Sequence, residues 1–155
     1  MTILVIAYDG SPNARRAVHY AGRFLSAERT VVLTVWEPIR GGQDSVSIDL
    51  DGPPDAPDAL FDDDDLDIAF ADAQRTNVEG ATLARAAGLN AEPLCVAVSG
   101  TVWRTIIDAA DKLDADLIVT GTRGVTGVRS LLQASVADRV LRHGGRPVLI
   151  VPPGP

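Results

Sequence analysis

The chain has 155 residues, 46% of them hydrophobic, which is enough for one domain with a full core and too apolar for a disordered chain. No run of about 18 apolar residues occurs, so no membrane-spanning helix is expected. The net charge of −7 comes from one segment: residues 41–74 hold eleven Asp and no Lys or Arg, leaving ten acidic against 14 basic residues elsewhere, with no basic helix or aromatic platform to read nucleic acid.

Ile3–Ala7 is a continuous apolar run, the pattern of a strand buried on both faces. No basic flank precedes it, so it reads as a strand and not a signal peptide. Ser11-Pro12 then opens a helix, with Ser as N-cap and Pro at the first helical position. Ala14, Ala17, Val18, Ala21 and Leu25 form its apolar stripe. Residues 31–36 predict a second strand. Residues 38–65 have little periodicity and are rich in Gly, Pro, Ser and Asp, which predicts a long acidic surface loop.

Residues 66–87 predict a second helix, with Ile68, Ala69, Val78, Leu83 and Ala86 inward and Gly88 as its stop. A third strand is expected at 94–98. It contains the lone Cys95, which has no intramolecular disulfide partner and reads as a small core residue; a reducing, cytoplasmic setting fits. Thr101 caps a third helix carrying Val102, Ile106, Ile107 and Ala110. Strand four is expected at 117–120, helix four at 135–143 and strand five at 147–151. This alternation of strand and helix means right-handed crossovers and an α/β fold: a parallel sheet with helices on both faces.

Closely spaced glycines follow strand four, in Gly121-Thr122-Arg123-Gly124 and on to Gly127. Glycine lets backbone N–H groups approach an anion, and a following helix N-terminus favours negative charge. The loop reads either as a phosphate cradle, with Arg123 or Arg129 adding charge, or as an ordinary glycine turn. It is neither a Walker A loop nor a Rossmann fingerprint. Asp9, just past strand one, also has two readings: it accepts hydrogen bonds from a ribose or base, or it bonds its own turn. If strands one and four are neighbours, Asp9 faces Gly121. Ser135-Val136-Ala137-Asp138 fits a capping box, and the Ser135 hydroxyl suits a terminal phosphate equally well. The aspartates at 62–65 read as a solvated segment and not a cation site. His19 and His143 lack partners at metal-ligand spacing. Trp36 and Trp103 read as core or interface residues, with Trp36 near the crevice. No residue stands out as a general base.

Taken together, the chain resembles the universal stress protein family. The likeness runs from Ile3-Leu4-Val5-Ile6-Ala7-Tyr8-Asp9-Gly10-Ser11 through Leu33-Thr34-Val35-Trp36-Glu37-Pro38 and Ala115-Asp116-Leu117-Ile118-Val119 to Arg146-Pro147-Val148-Leu149-Ile150-Val151-Pro152. The family's nucleotide motif is Gly, two residues, Gly, nine residues, then Gly and Ser or Thr. Gly121, Gly124 and Ser135 match it, and Ala134 stands where the motif has Gly. The resemblance implies a Rossmann-like open sheet of five parallel strands, order 3-2-1-4-5, and homodimers paired through Val148–Val151. It further implies ATP, with Mg²⁺, as ligand of a stress-response regulator that is at most a slow ATPase. Ala7, Asp9 and Val35 would surround the adenosine. Thr120, Gly121, Arg123, Gly124, Ala134, Ser135 and Val136 would surround ribose and phosphates. The alternative is a homodimeric interaction module of the same family that binds no nucleotide.

Overall fold

The structure, a computed structural model of the chain, describes residues 1–37, 63–122 and 136–154, with side chains from 67 onward in the second segment. Five strands form one sheet: β1 (Ile3–Ala7), β2 (Arg29–Trp36), β3 (Ala91–Ala97), β4 (Leu117–Gly121) and β5 (Val148–Val151). Every pairing is parallel and the order is β3-β2-β1-β4-β5, as the resemblance implied. Helices α1 (Pro12–Phe24), α2 (Asp63–Ala86), α3 (Val102–Leu113) and α4 (Val136–His143) connect them.

Strand alternation divides the core between the two faces. Leu4 and Ile6 of β1 pack with Ala17, Val18 and Ala21 of α1 and Ala81 and Ala84 of α2. Val5 points the other way, with Val31 and Leu33, onto Ile106, Ile107 and Ala110 of α3 and Val140 of α4. So α1 and α2 cover one face of the sheet and α3 and α4 the other. The central strands β1 and β4 are buried on both sides over most of their length and read as apolar runs, while the edge strands β3 and β5 are only partly buried.

The expected helix ends hold. Ser11 Oγ accepts the Ala14 N–H at 3.1 Å, and Thr101 Oγ1 accepts the Arg104 N–H at 3.3 Å. Gly88 follows α2 with φ +96°, a conformation that a side chain would strain. Asp114 ends α3 in the left-handed region at φ 52°, and the Ala115 N–H reaches back to Ala110 O. Arg146 completes that end by donating to Ala110 O at 2.9 Å and Ala115 O at 2.7 Å. A guanidinium at a helix C-terminus satisfies exposed carbonyls and complements the dipole.

Helix α2 departs from expectation. It begins at Asp63, earlier than predicted, and so takes in residues of the acidic run, which a helix N-terminus favours. Its inward face is also different. Ile68 and Val78 are 56% and 54% exposed, and Ala86 is exposed, while Ala69, Ala73, Asn77, Gly80, Ala81 and Ala84 are buried. Most of the buried positions are Ala or Gly, with Asn77 among them and Leu83, as expected, half-buried against the core. Among the described residues no helix is long and apolar enough to cross a membrane.

Candidate functional site

At the carboxyl edge of the sheet, β1 and β4 are neighbours, registered as Leu4↔Leu117, Val5↔Ile118 and Ile6↔Val119. The helix that follows β1, α1, packs on one face of the sheet, and α4, the next described helix after β4, packs on the other. This divergence is the topological switch point at which open α/β sheets bind ligands. A cavity of about 260 Å³ lies there.

The cavity draws on most elements of the fold. Ala7 ends β1 and Asp9 follows it by two residues, Leu33 and Val35 come from β2, and Thr120 and Gly121 end β4 with Thr122 just beyond. Ser11 and Asn13 open α1, Val102 and Ile106 lie on α3, and Val136 is the first residue of α4. Ala7, Asp9, Val35, Thr120, Gly121 and Val136, all expected site residues, therefore come together around one space. Arg123, Gly124, Ala134 and Ser135 lie outside the described residues. Asn13, Glu37, Val102, Ile106 and Thr122 also line the cavity and were not singled out as site residues. Their common signal is position: each sits at the end of a strand or in the first turns of a helix at the same edge.

The turn reading of Asp9 is seen directly. Its Oδ1 accepts the Ser11 N–H at 2.9 Å, so the residue shapes its own turn. Its other carboxylate oxygen has no hydrogen bond to a described residue, and the side chain is exposed at the cavity. Gly10, in the same turn, has φ +80°. Gly121 answers to packing. A Cβ there would lie 2.6 Å from the Asn13 carbonyl oxygen, so glycine is what lets α1 begin against the end of β4.

The walls are mainly apolar, from Leu33, Val35, Ile106 and Val136, with hydroxyls at Ser11, Thr120 and Thr122. Among the described residues the buried Thr122 Oγ1 has no hydrogen-bond partner, nor has Thr30 Oγ1 elsewhere in the sheet. Asp9 and Glu37 are the charged groups among the described lining residues, and both are acidic. Behind the site, Tyr8 is buried, and burial holds its phenol above the ordinary range. It stays protonated and donates to Glu79 Oε1 at 2.9 Å.

Comparison with known proteins identifies the family. A profile of the universal stress protein family matches residues 1–152. The chain belongs to the universal stress protein family. A universal stress protein of Thermus aquaticus is 30% identical over 150 residues, covering 96% of each chain. One from Methanocaldococcus jannaschii is 44% identical over 54 residues, which is 35% of this chain and 32% of that protein. A crystal structure of a universal stress protein in complex with cAMP superposes with a TM-score of 0.68 at 27% identity, covering 97% of this chain and 96% of that one.

The remaining candidates lie apart from the cavity. Trp36 turns toward α2, its ring 5.4 Å from that of Phe70. Trp103 is half-buried against His143, with ring centroids 5.0 Å apart. Cys95 is half-buried on the edge strand β3, and not in the core as expected; desolvation raises its thiol pKa. Among the described residues no group of three His, Cys, Asp or Glu is placed to hold a metal.

Proposed function

We propose that this protein is a regulatory member of its family that binds an adenine nucleotide, ATP with Mg²⁺, in the cavity between β1 and β4. The observation that carries the reading is the cavity at the switch point, with Asp9 exposed at its edge. Apolar walls suit a flat base, and the free oxygen of Asp9 suits ribose hydroxyls. The complex of a 27% identical family member with cAMP supports an adenine ligand.

The described lining carries only negative charge. The cavity therefore takes the nucleoside end, and phosphates extend toward Arg123, Gly124, Ala134, Ser135 and the metal ion. Calorimetry of ATP into nucleotide-free protein with Mg²⁺ tests this. Micromolar binding is expected. No heat from folded protein would overturn the reading and favour the family's interaction-module alternative.

A homodimer through Val148–Val151 is the second part of the proposal, and the two sheet edges support it. Ile118 N–H to Pro147 O and Thr122 N–H to Val151 O turn residues 147 and 151 toward β4. By alternation, Val148 and Ile150 present their N–H and C=O groups outward. The β3 edge is blunted instead. Thr30 N–H to Asn90 O and Val98 N–H to Trp36 O leave 91, 93, 95 and 97 facing out. There Pro93 has no N–H, and Arg85 Nε already donates to Ala91 O at 2.9 Å. Proline and basic side chains are ordinary protections of an edge that is not to pair. Ile150→Asp should convert dimer to monomer in light scattering, with the fold retained. A dimer unaffected by that change would place the interface elsewhere.

A further inference from the structure

Asn77 is the one amide in the buried stripe of α2, at 2% exposure among Ala69, Ala73, Gly80, Ala81 and Ala84. Burying an amide is costly unless it is hydrogen-bonded, so a helix that served only to pack would carry another small apolar residue there. Its Nδ2 donates to Val32 O at 2.8 Å and to Thr34 Oγ1 at 2.9 Å. The Thr34 hydroxyl accepts that bond and donates its own proton to Tyr8 O at 2.9 Å. A buried chain of this kind is cooperative, each bond polarising the next.

The acceptor sits at a decisive place. Tyr8 is the last residue still tied to β2, through its N–H to Leu33 O at 2.8 Å, and the next residue is Asp9. The same stretch of α2 grips both neighbours of Asp9. A Cβ on Gly80 would lie 2.5 Å from the Tyr8 ring, and Thr76 Cγ2 is 3.2 Å from where a Cβ on Gly10 would stand. We infer that Asn77 is a positioning residue for the ligand cavity: through the Thr34 hydroxyl it holds the Tyr8 carbonyl and so sets the turn that presents Asp9.

The effect on affinity rests on the nucleotide reading above; the effect on the turn does not. Thr34→Val removes the hydroxyl at nearly constant shape, Asn77→Leu removes the donor, and Thr34→Ser keeps the chain intact. In NMR spectra the Ser11 amide proton, held by Asp9 Oδ1, should shift upfield in the first two variants and stay in place in Thr34→Ser. Amides of α3 should not move, which separates a local change from general loosening. Nucleotide affinity should fall about tenfold in each of the two, the size of one buried hydrogen bond, and no further in the double variant. An unshifted Ser11 amide in Thr34→Val overturns the inference whether or not nucleotide binds. A shifted amide with unchanged affinity overturns its link to the ligand. Wild-type protein that binds no nucleotide sinks the proposed function, and the Ser11 amide still decides the positioning.

Discussion

Gly121→Ala should lower stability by about 1–3 kcal/mol, the usual cost of an added methyl with no room to stand. The obstruction is backbone: the Asn13 carbonyl oxygen and carbon lie 2.6 and 2.8 Å from the new atom. No side chain can swing aside, so the start of α1 must retreat from β4. For a chain of this length that corresponds to a fall in Tm of about 2–4 °C per kcal/mol. Ser11, Asn13 and Gly121 all line the cavity, so its shape changes with the same movement and ligand affinity should drop too. Thermal denaturation with a parallel ATP titration reads both. A wild-type Tm would mean that α1 adjusts freely at this contact.

Gly124→Val should do the reverse, removing ATP binding while leaving Tm and dimer content alone. On the proposed reading, phosphate passes against the backbone at 124, and a branched side chain takes its place. A loss of at least roughly 100-fold, about 2.7 kcal/mol, is expected by calorimetry. The pair of variants divides the motif. Gly121 is glycine because a helix packs on it, and Gly124 would be glycine because a ligand does. Equal ATP affinity in Gly124→Val and wild type would remove the phosphate role from this loop.

Much of the architecture was legible because its signals are short-ranged. Ser11-Pro12 and Thr101 mark helix starts through bonds that span three residues, and both caps form. The apolar runs of β1, β2 and β4 declare strands covered on both faces. Helix α2 shows where such reading fails. Choosing the largest hydrophobic residues put Ile68 and Val78 inside, yet both are more than half exposed. The inward face was decided by packing against the sheet, where Ala69, Ala73, Ala81 and Ala84 are buried and Leu83 is half-buried beside them. Asn77 was invisible for the same reason: a polar residue on a helix reads as solvent-facing until its partners on β2 are known. At Asp9 the sequence left two roles open, and the geometry accommodates both, one on each carboxylate oxygen.

The sequence by itself determined the alternation of strands and helices, most of the caps that bound them, and a glycine and serine spacing specific enough to indicate the family. These depend on a residue and its neighbours a few positions away, which a linear pattern records. The tertiary structure alone decided that Val102, Ile106 and Asn13 line the same space as Asp9 and Gly121, and that Asn77 reaches across to Thr34. Those meetings join residues far apart in the chain. They follow from how two helices fit against each face of the sheet, a packing outcome that no local pattern contains.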